Sequence, residues 1–202
     1  DEKPYCMEIS KKYDKNYWDG DRRYGYGGYK YMPGRWKTVA KQLIQSYDLS
    51  SNSKVLDIGC GKGYLMYEIK LLLPDIDIIG VDSSSYAIDH AKDEVKSLIF
   101  KKDIKDGLGY KDNEFDLVIS LGVLHNLRIP DLKKSLSEME RVGKQGYLML
   151  ESYRNEKELF NLQCWALTAE SFFDKEEWVW LYKHFGYTGD YEFIYFKALN
   201  ED

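Results

Sequence analysis

Cysteine, histidine and surplus positive charge are all scarce in this chain, and each shortage removes a class of function. The 202 residues hold three cysteines, Cys6, Cys60 and Cys164, with no Cys-x-x-Cys pair, so neither a disulfide framework nor a zinc site is expected. That usage fits a reducing, cytoplasmic setting. Three histidines and scattered carboxylates show no metal-ligand spacing, and no metal is expected. With 29 Lys and Arg against 34 Asp and Glu, the formal net charge is −5, which argues against the broad basic footprint of a nucleic-acid binder. No apolar run approaches the roughly 18 residues of a membrane span, so no membrane insertion is expected. The N-terminal stretch lacks the basic-then-apolar order of a signal peptide.

What is present is a chain that is 44% hydrophobic, enough to bury a real core. Its length fits a single domain over 1–202, with an N-terminal cap and lid over 1–50 and a core over 51–202. Residues 21–36, DRRYGYGGYKYMPGRW, interleave tyrosine with glycine without a sustained period and read as an ordered, covering loop. From Trp36 the spacing Trp36, Val39, Ala40, Leu43, Ile44, Tyr47 forms one helix face. After that the pattern alternates. KVLDIG (54–59) and DIIGVD (77–82) read as strands around a helix over 64–73, a βαβ unit. A helix carrying Ala87, Ile88, Ala91, Val95 and Leu98 follows, then a short strand over 99–103 and the nearly continuous apolar run FDLVISL (115–121). Leu132, Leu136, Met139 and Val142 mark a helix, GYLMLES (146–152) a fifth strand, Asp174 with Glu177 a capping box, and YEFIYF (191–196) a last strand. The fold class expected is α/β: a doubly wound, mainly parallel sheet with helices on both faces.

In such a sheet, ligands lie beyond the carboxyl ends of the strands, where strand order reverses. The run VLDIGCGKGYL (55–65) places Gly59, Gly61 and Gly63 there. A dinucleotide fingerprint requires G-x-G-x-x-G, whose third glycine would fall on Tyr64. The spacing is instead G-x-G-x-G, preceded by Asp57, and a carboxylate there suits a ligand carrying positive charge. Asp82, at the end of the second strand, stands where a carboxylate accepts hydrogen bonds from ribose hydroxyls, although it could equally cap the helix that follows SerSerSer. Asp103 could accept from an exocyclic adenine amine or be an ordinary turn residue.

Taken in order, VLDIGCGKG, GVDSS, FKKDI and FDLVISLGVLHNL, within 55–151, resemble the successive motifs of the class I, Rossmann-like S-adenosylmethionine-dependent methyltransferases. The resemblance implies that Asp57 and the three glycines hold the methionine moiety, Asp82 the ribose, and Asp103 with Ile104 the adenine. Cys60, Ser83, Ser120 and Leu121 belong to the same cofactor-binding set. YDKNYWDG, YGYGGYKYMPGRW and ESYRNEKELFNLQCWALTAESF resemble a bacterial methyltransferase subgroup found among surface-polysaccharide genes. That implies a small-molecule acceptor, a sugar or activated precursor, with S-adenosylmethionine as cofactor and a homodimer left open. The family pattern ends on a sixth strand and an antiparallel seventh, whereas only YEFIYF is clear here.

For the chemistry, His125 in GVLHNL leaves the fourth strand at the ligand rim, where an imidazole near pKa 6.5 could serve as a base; the alternative is a packing or capping histidine. Asn126, Glu151, Tyr153 and Arg154 leave the same rim and could touch the acceptor. Tyr26, Tyr29 and Arg35 could form a lid, the aromatic faces toward a sulfonium and Arg35 toward a carboxylate or phosphate. His90 and His184 read as surface residues. Two rivals remain: a cofactor-binding module without catalysis, and a nicotinamide-dependent oxidoreductase, which would share the βαβ unit and the ribose aspartate but is opposed by Tyr64 in the glycine spacing and by Asp57 before it.

Overall fold

The computed structural model describes residues 2–196. Six strands form one sheet in the order β3-β2-β1-β4-β5-β6. They are β1 Lys54–Ile58, β2 Asp77–Asp82, β3 Ile99–Lys101, β4 Leu117–Leu121, β5 Gly146–Ser152 and β6 Asp190–Tyr195. Every neighbouring pair is parallel, which requires a crossover after each strand. The order reverses between β1 and β4, and this switch point is where the carboxyl ends of the central strands leave a crevice.

Both faces of the central strands are covered, and the alternation of side chains shows how. From β1 and β4, Leu56, Ile58 and Val118 point to one face, where they meet Leu132, Leu136 and Met139 of helix Ile129–Val142 and Trp178 of helix Lys175–Phe185. Val55, Leu117 and Ile119 point to the other, against Leu43 of helix Lys37–Ser46 and Met66 and Ile69 of helix Tyr64–Leu72. Strands buried on both sides need apolar residues on both faces, as in 54–58 and 115–121.

The structure departs from the expected elements in three places. Two short helices, Lys3–Ser10 and Lys15–Asp19, precede the tyrosine-rich segment; neither has an amphipathic period long enough to announce itself. The helix expected through Ala87 and Leu98 is two helices, Ser85–Asp89 and Asp93–Lys96, because the Lys92 N–H is drawn to the Lys62 carbonyl at 2.9 Å instead of continuing the ladder. A helix at Glu156–Trp165 went unpredicted, although Asn155 caps it by accepting from Glu158 N. At the edge the expectation holds: β6 is the sixth strand, it runs parallel to β5, and no seventh follows among the described residues.

The capping box at Asp174 and Glu177 is formed reciprocally, with Asp174 Oδ1 accepting from Glu177 N at 2.8 Å and Glu177 Oε2 from Asp174 N at 2.9 Å. Its helix covers one sheet face through Trp178. Asp174→Ala is expected to lower stability by about 1 kcal/mol, read as a lower urea midpoint at unchanged slope; an unchanged midpoint would show that the cap contributes nothing.

Candidate active site

At the switch point the turn after β1 bends through Gly59, Gly61 and Gly63, with φ values of 72°, 55° and 73°. A Cβ on Gly59 would stand 2.3 Å from Val123 Cγ2, and one on Gly61 would stand 2.9 Å from the Trp18 ring. The turn is therefore packed from both sides while its backbone faces a cavity of about 440 Å³, within the range of small-ligand sites.

Two buried carboxylates define the floor. Asp82 Oδ2 accepts from Gly61 N and Oδ1 from Ser84 N, both at 2.8 Å. Burial pushes its pKa up in spite of those two bonds. The Asp57 carboxylate forms no hydrogen bond among the described residues, and burial, with the Asp82 charge adding to it, pushes its pKa up to about 7. A buried carboxylate facing a cavity without a donor is a demand for a positively charged or donating ligand.

Cys60, Ser83, Ile104 and Leu121 line the same cavity, as do Asp103 and the N-terminal residues Tyr26, Tyr29 and Arg35. Asp103 pairs with Lys105 at 3.0 Å at the cavity edge. Asn126 and Glu151 line the opposite end. Five expected site residues lie elsewhere. Gly63 begins a helix and faces Ile99 and Val95, which a Cβ would meet at 2.8 and 2.9 Å, so it serves packing. Ser120 is fully buried and donates to the Ile58 carbonyl at 3.1 Å. Tyr153 packs with Leu162 and Ala166, its hydroxyl 3.5 Å from Glu177. Arg154 turns back one helical turn to Glu158 and lies over the Tyr195 ring.

The fifth is His125. Instead of facing the cavity it sits behind Glu151, 4% exposed, with Nε2 3.4 Å from Glu151 Oε2 and Nδ1 without a partner. Its carbonyl accepts from Glu170 N and Ser171 N. Burial pulls its pKa down to about 4, so the ring is neutral at pH 7 and the contact with Glu151 is not an ion pair there. His90 and His184 are exposed, stacked on Tyr86 and Trp180.

Reading the motifs missed the machinery that holds the lid. Trp18 stacks on Tyr26, with centroids 5.3 Å apart, and donates through Nε1 to Ser84 Oγ at 2.9 Å. Lys62, inside the glycine turn, donates to both Asp19 carboxylate oxygens at 2.8 and 2.7 Å and to the Tyr29 carbonyl at 2.8 Å. Tyr86 donates to the same carboxylate. Burial would raise the Asp19 pKa, but the Lys62 and Tyr86 bonds outweigh it and hold it below the usual carboxylate range. Tyr13, Tyr17 and Trp36 complete the aromatic wall. The segment YDKNYWDG that supplies most of this set was legible only as a family likeness.

A family model described as a methyltransferase domain matches residues 49–186. The chain belongs to this methyltransferase family. Methyltransferases of this family use S-adenosylmethionine, and a sulfonium cofactor with an amino-acid end fits the donor-less Asp57 carboxylate. Among curated methyltransferases, the chain is 30% identical over 138 residues to the demethylmenaquinone methyltransferase of Staphylococcus saprophyticus, covering 65% of this chain and 58% of that one. It is 28% identical over 119 residues to an uncharacterized methyltransferase, sll0829, of Synechocystis, covering 58% and 55%. The chain thus spans little more than half the length of these relatives. Among solved structures, the YcgJ protein of Bacillus subtilis shares the fold, with a TM-score of 0.58 and 20% identity over 73% of this chain and 67% of that one.

Asp57 supplies a pH-dependent prediction for the ligand-free methyltransferase. With the folded pKa raised toward 7 from 3.8, the unfolded chain releases the proton first, so stability is full below pH 4 and is lost as pH rises to about 7. Asp57→Asn is expected to raise the Tm by a few degrees at pH 8 and far less at pH 4, measured by scanning calorimetry. Equal shifts at both pH values would count against a strained carboxylate.

Proposed function

We propose that this chain transfers a methyl group from S-adenosylmethionine to a small-molecule acceptor. The observation that carries the reading is the Asp57 carboxylate, buried, without a donor, and facing a cavity over bare glycine backbone. Asp57 would hold the amino group of the methionine moiety, Asp82 the ribose hydroxyls, and Asp103 with Ile104 the adenine edge. The cofactor supplies, when bound, a methyl on a sulfonium. The chain's contribution is to align and to exclude water, and well-oriented reactants gain roughly 7 to 11 kcal/mol over free encounter. Trp18, Tyr26 and Tyr29 close one side of that alignment, their faces suited to a cation.

A sugar or activated sugar precursor of a surface polysaccharide is the acceptor we favour, on the likeness of the N-terminal and 151–172 segments to that subgroup. The name of the Staphylococcus relative, a demethylmenaquinone methyltransferase, also points to a small molecule. The cytoplasmic setting of such a reaction agrees with three free thiols, and no helix among the described residues is long and apolar enough to cross a membrane.

Calorimetric titration tests the cofactor directly. S-adenosylmethionine and S-adenosylhomocysteine are expected to bind saturably and NAD not at all; NAD binding alone would overturn the reading. Asp82→Ala should weaken S-adenosylmethionine by about 10- to 100-fold, the cost of hydrogen bonds to a charged group, and an unchanged affinity would remove Asp82 from the ribose role.

A further inference from the structure

Glu151 is the polar group at the cavity end away from Asp103 that no cofactor role absorbs. On β5, Leu148 and Leu150 point into the core, so Met149 and Glu151 alternate to the other side and line the cavity. The carboxylate is 17% exposed and forms no hydrogen bond among the described residues. Two more acceptor atoms stand unsatisfied and buried on the adjacent turn, Asn126 Oδ1 and His125 Nδ1. Buried acceptors without donors are uncommon and mark either strain or a missing ligand. Asn126 itself lines the cavity.

The surroundings of Glu151 carry little charge. From the turn after β4, His125 Nε2 faces it at 3.4 Å, and from the lid Tyr26 lies close enough to feel its charge. From the helix behind, Trp178 Nε1 donates only to the Glu151 carbonyl, and β6 places Ile194 opposite. His125 is held neutral by burial and Tyr26 stays protonated. Burial pushes the Glu151 pKa up to about 7, near the value at which a general base is both deprotonated and proton-avid.

We propose that the Glu151 carboxylate takes the proton of an acceptor hydroxyl, with Asn126 Oδ1 as a second contact to that acceptor and His125 as the residue that positions Glu151. The proposal rests on the methyl-transfer reading and narrows it to an uncharged hydroxyl at the reacting end. A neutral amine attacks through its lone pair without a base, whereas a hydroxyl oxygen methylated with its proton in place would become an oxonium. In the step, the acceptor oxygen forms the new C–O bond and the S–C bond breaks with its electron pair left on sulfur. The O–H bond breaks and its proton passes to Glu151. The products are a neutral ether, a neutral thioether and a protonated carboxyl, which returns its proton to solvent. The 3.4 Å separation of His125 from Glu151 is of the kind that tightens when an acceptor is bound.

The test uses the full chain labelled with [5-13C]glutamate and saturated with S-adenosylhomocysteine, the Glu151 resonance being assigned by its absence in Glu151→Gln. A titration midpoint near 7 is expected, against 4.5 for an ordinary glutamate. His125→Ala should move that midpoint downward, because it removes part of the cover that raises it, and His125→Asn, which keeps more of that cover, should move it less. Glu151→Gln and both His125 variants should bind S-adenosylhomocysteine within about threefold of wild type, and transfer of tritiated methyl to a pool of phenols and sugars should fall about 100-fold in Glu151→Gln. A midpoint in the ordinary range, indifference to His125, or wild-type transfer by Glu151→Gln overturns the proposal. Failure of wild type to bind S-adenosylhomocysteine overturns the methyl-transfer reading, and this proposal with it.

Discussion

The Asp82 carboxylate joins three parts of the chain that have no covalent reason to meet. One oxygen receives Gly61 N and fixes the turn after β1; the other receives Ser84 N and fixes the chain leaving β2. Ser84 then passes the constraint on. Its Oγ accepts from Ala87 N, which starts the next helix, and from Trp18 Nε1, which brings in the lid. The Trp18 ring in turn lies against Gly61, so the circuit closes on the residue where it began. A buried carboxylate is tolerable only when its lone pairs are used, and here two backbone donors use part of them. Asp82 also lines the cavity, so the group that organises the turn borders the space above it.

The placement of charge around the glycine turn follows from the same economy of donors. Lys62 lies five residues after Asp57 in the sequence, within the turn itself, and would be its obvious counter-ion. Instead its ammonium is buried against Asp19 and the Tyr29 carbonyl. Asp57 is left with burial and a neighbouring like charge, both of which favour protonation. A ligand that brings a positive charge relieves both penalties at once. The lysine that could have neutralised the site is used to hold its roof, and the site's electrostatic demand is kept for the ligand.

What could be read from the sequence was whatever depends on short range. The strands 54–58 and 115–121, the glycine turn with Asp57 and Asp82, and the Asp174–Glu177 box were legible because each rests on neighbours a few residues apart. Contacts across the fold were not. His125 follows β4 closely in sequence, but pattern alone could not show that it would be buried behind Glu151 of β5 instead of facing the cavity. Tyr153 and Arg154 follow Glu151 closely in sequence, yet the chain leaves the strand there and the Asn155-capped helix draws Arg154 toward Glu158. The break between the two helices after β2 was hidden for the same reason: the group that interrupts them is a carbonyl 30 residues earlier, at Lys62.

The lid's attachments bear on how the site could admit an acceptor. Lys62, Tyr64 and Glu68 all reach it, through Asp19, the Tyr29 carbonyl, the Tyr31 hydroxyl and Gly34 N. Lys62 and Glu68 are buried, and wholesale opening would break the Lys62–Asp19 ion pair together with the hydrogen bonds that Glu68 and Tyr64 make to the lid. The tip over 25–28 is different: Gly27 and Gly28 hold left-handed φ values of 68° and 109°, and a Cβ on Gly28 would meet nothing. Tyr26, at that tip, is 46% exposed as a residue while its ring packs on Tyr17, Trp18 and Tyr29. The tip is tied down only by neighbouring lid residues, Tyr26 N donating to the Tyr17 carbonyl and Gly28 N to the Trp18 carbonyl. The roof is thus largely formed in advance, and an acceptor need not supply the free energy of ordering it.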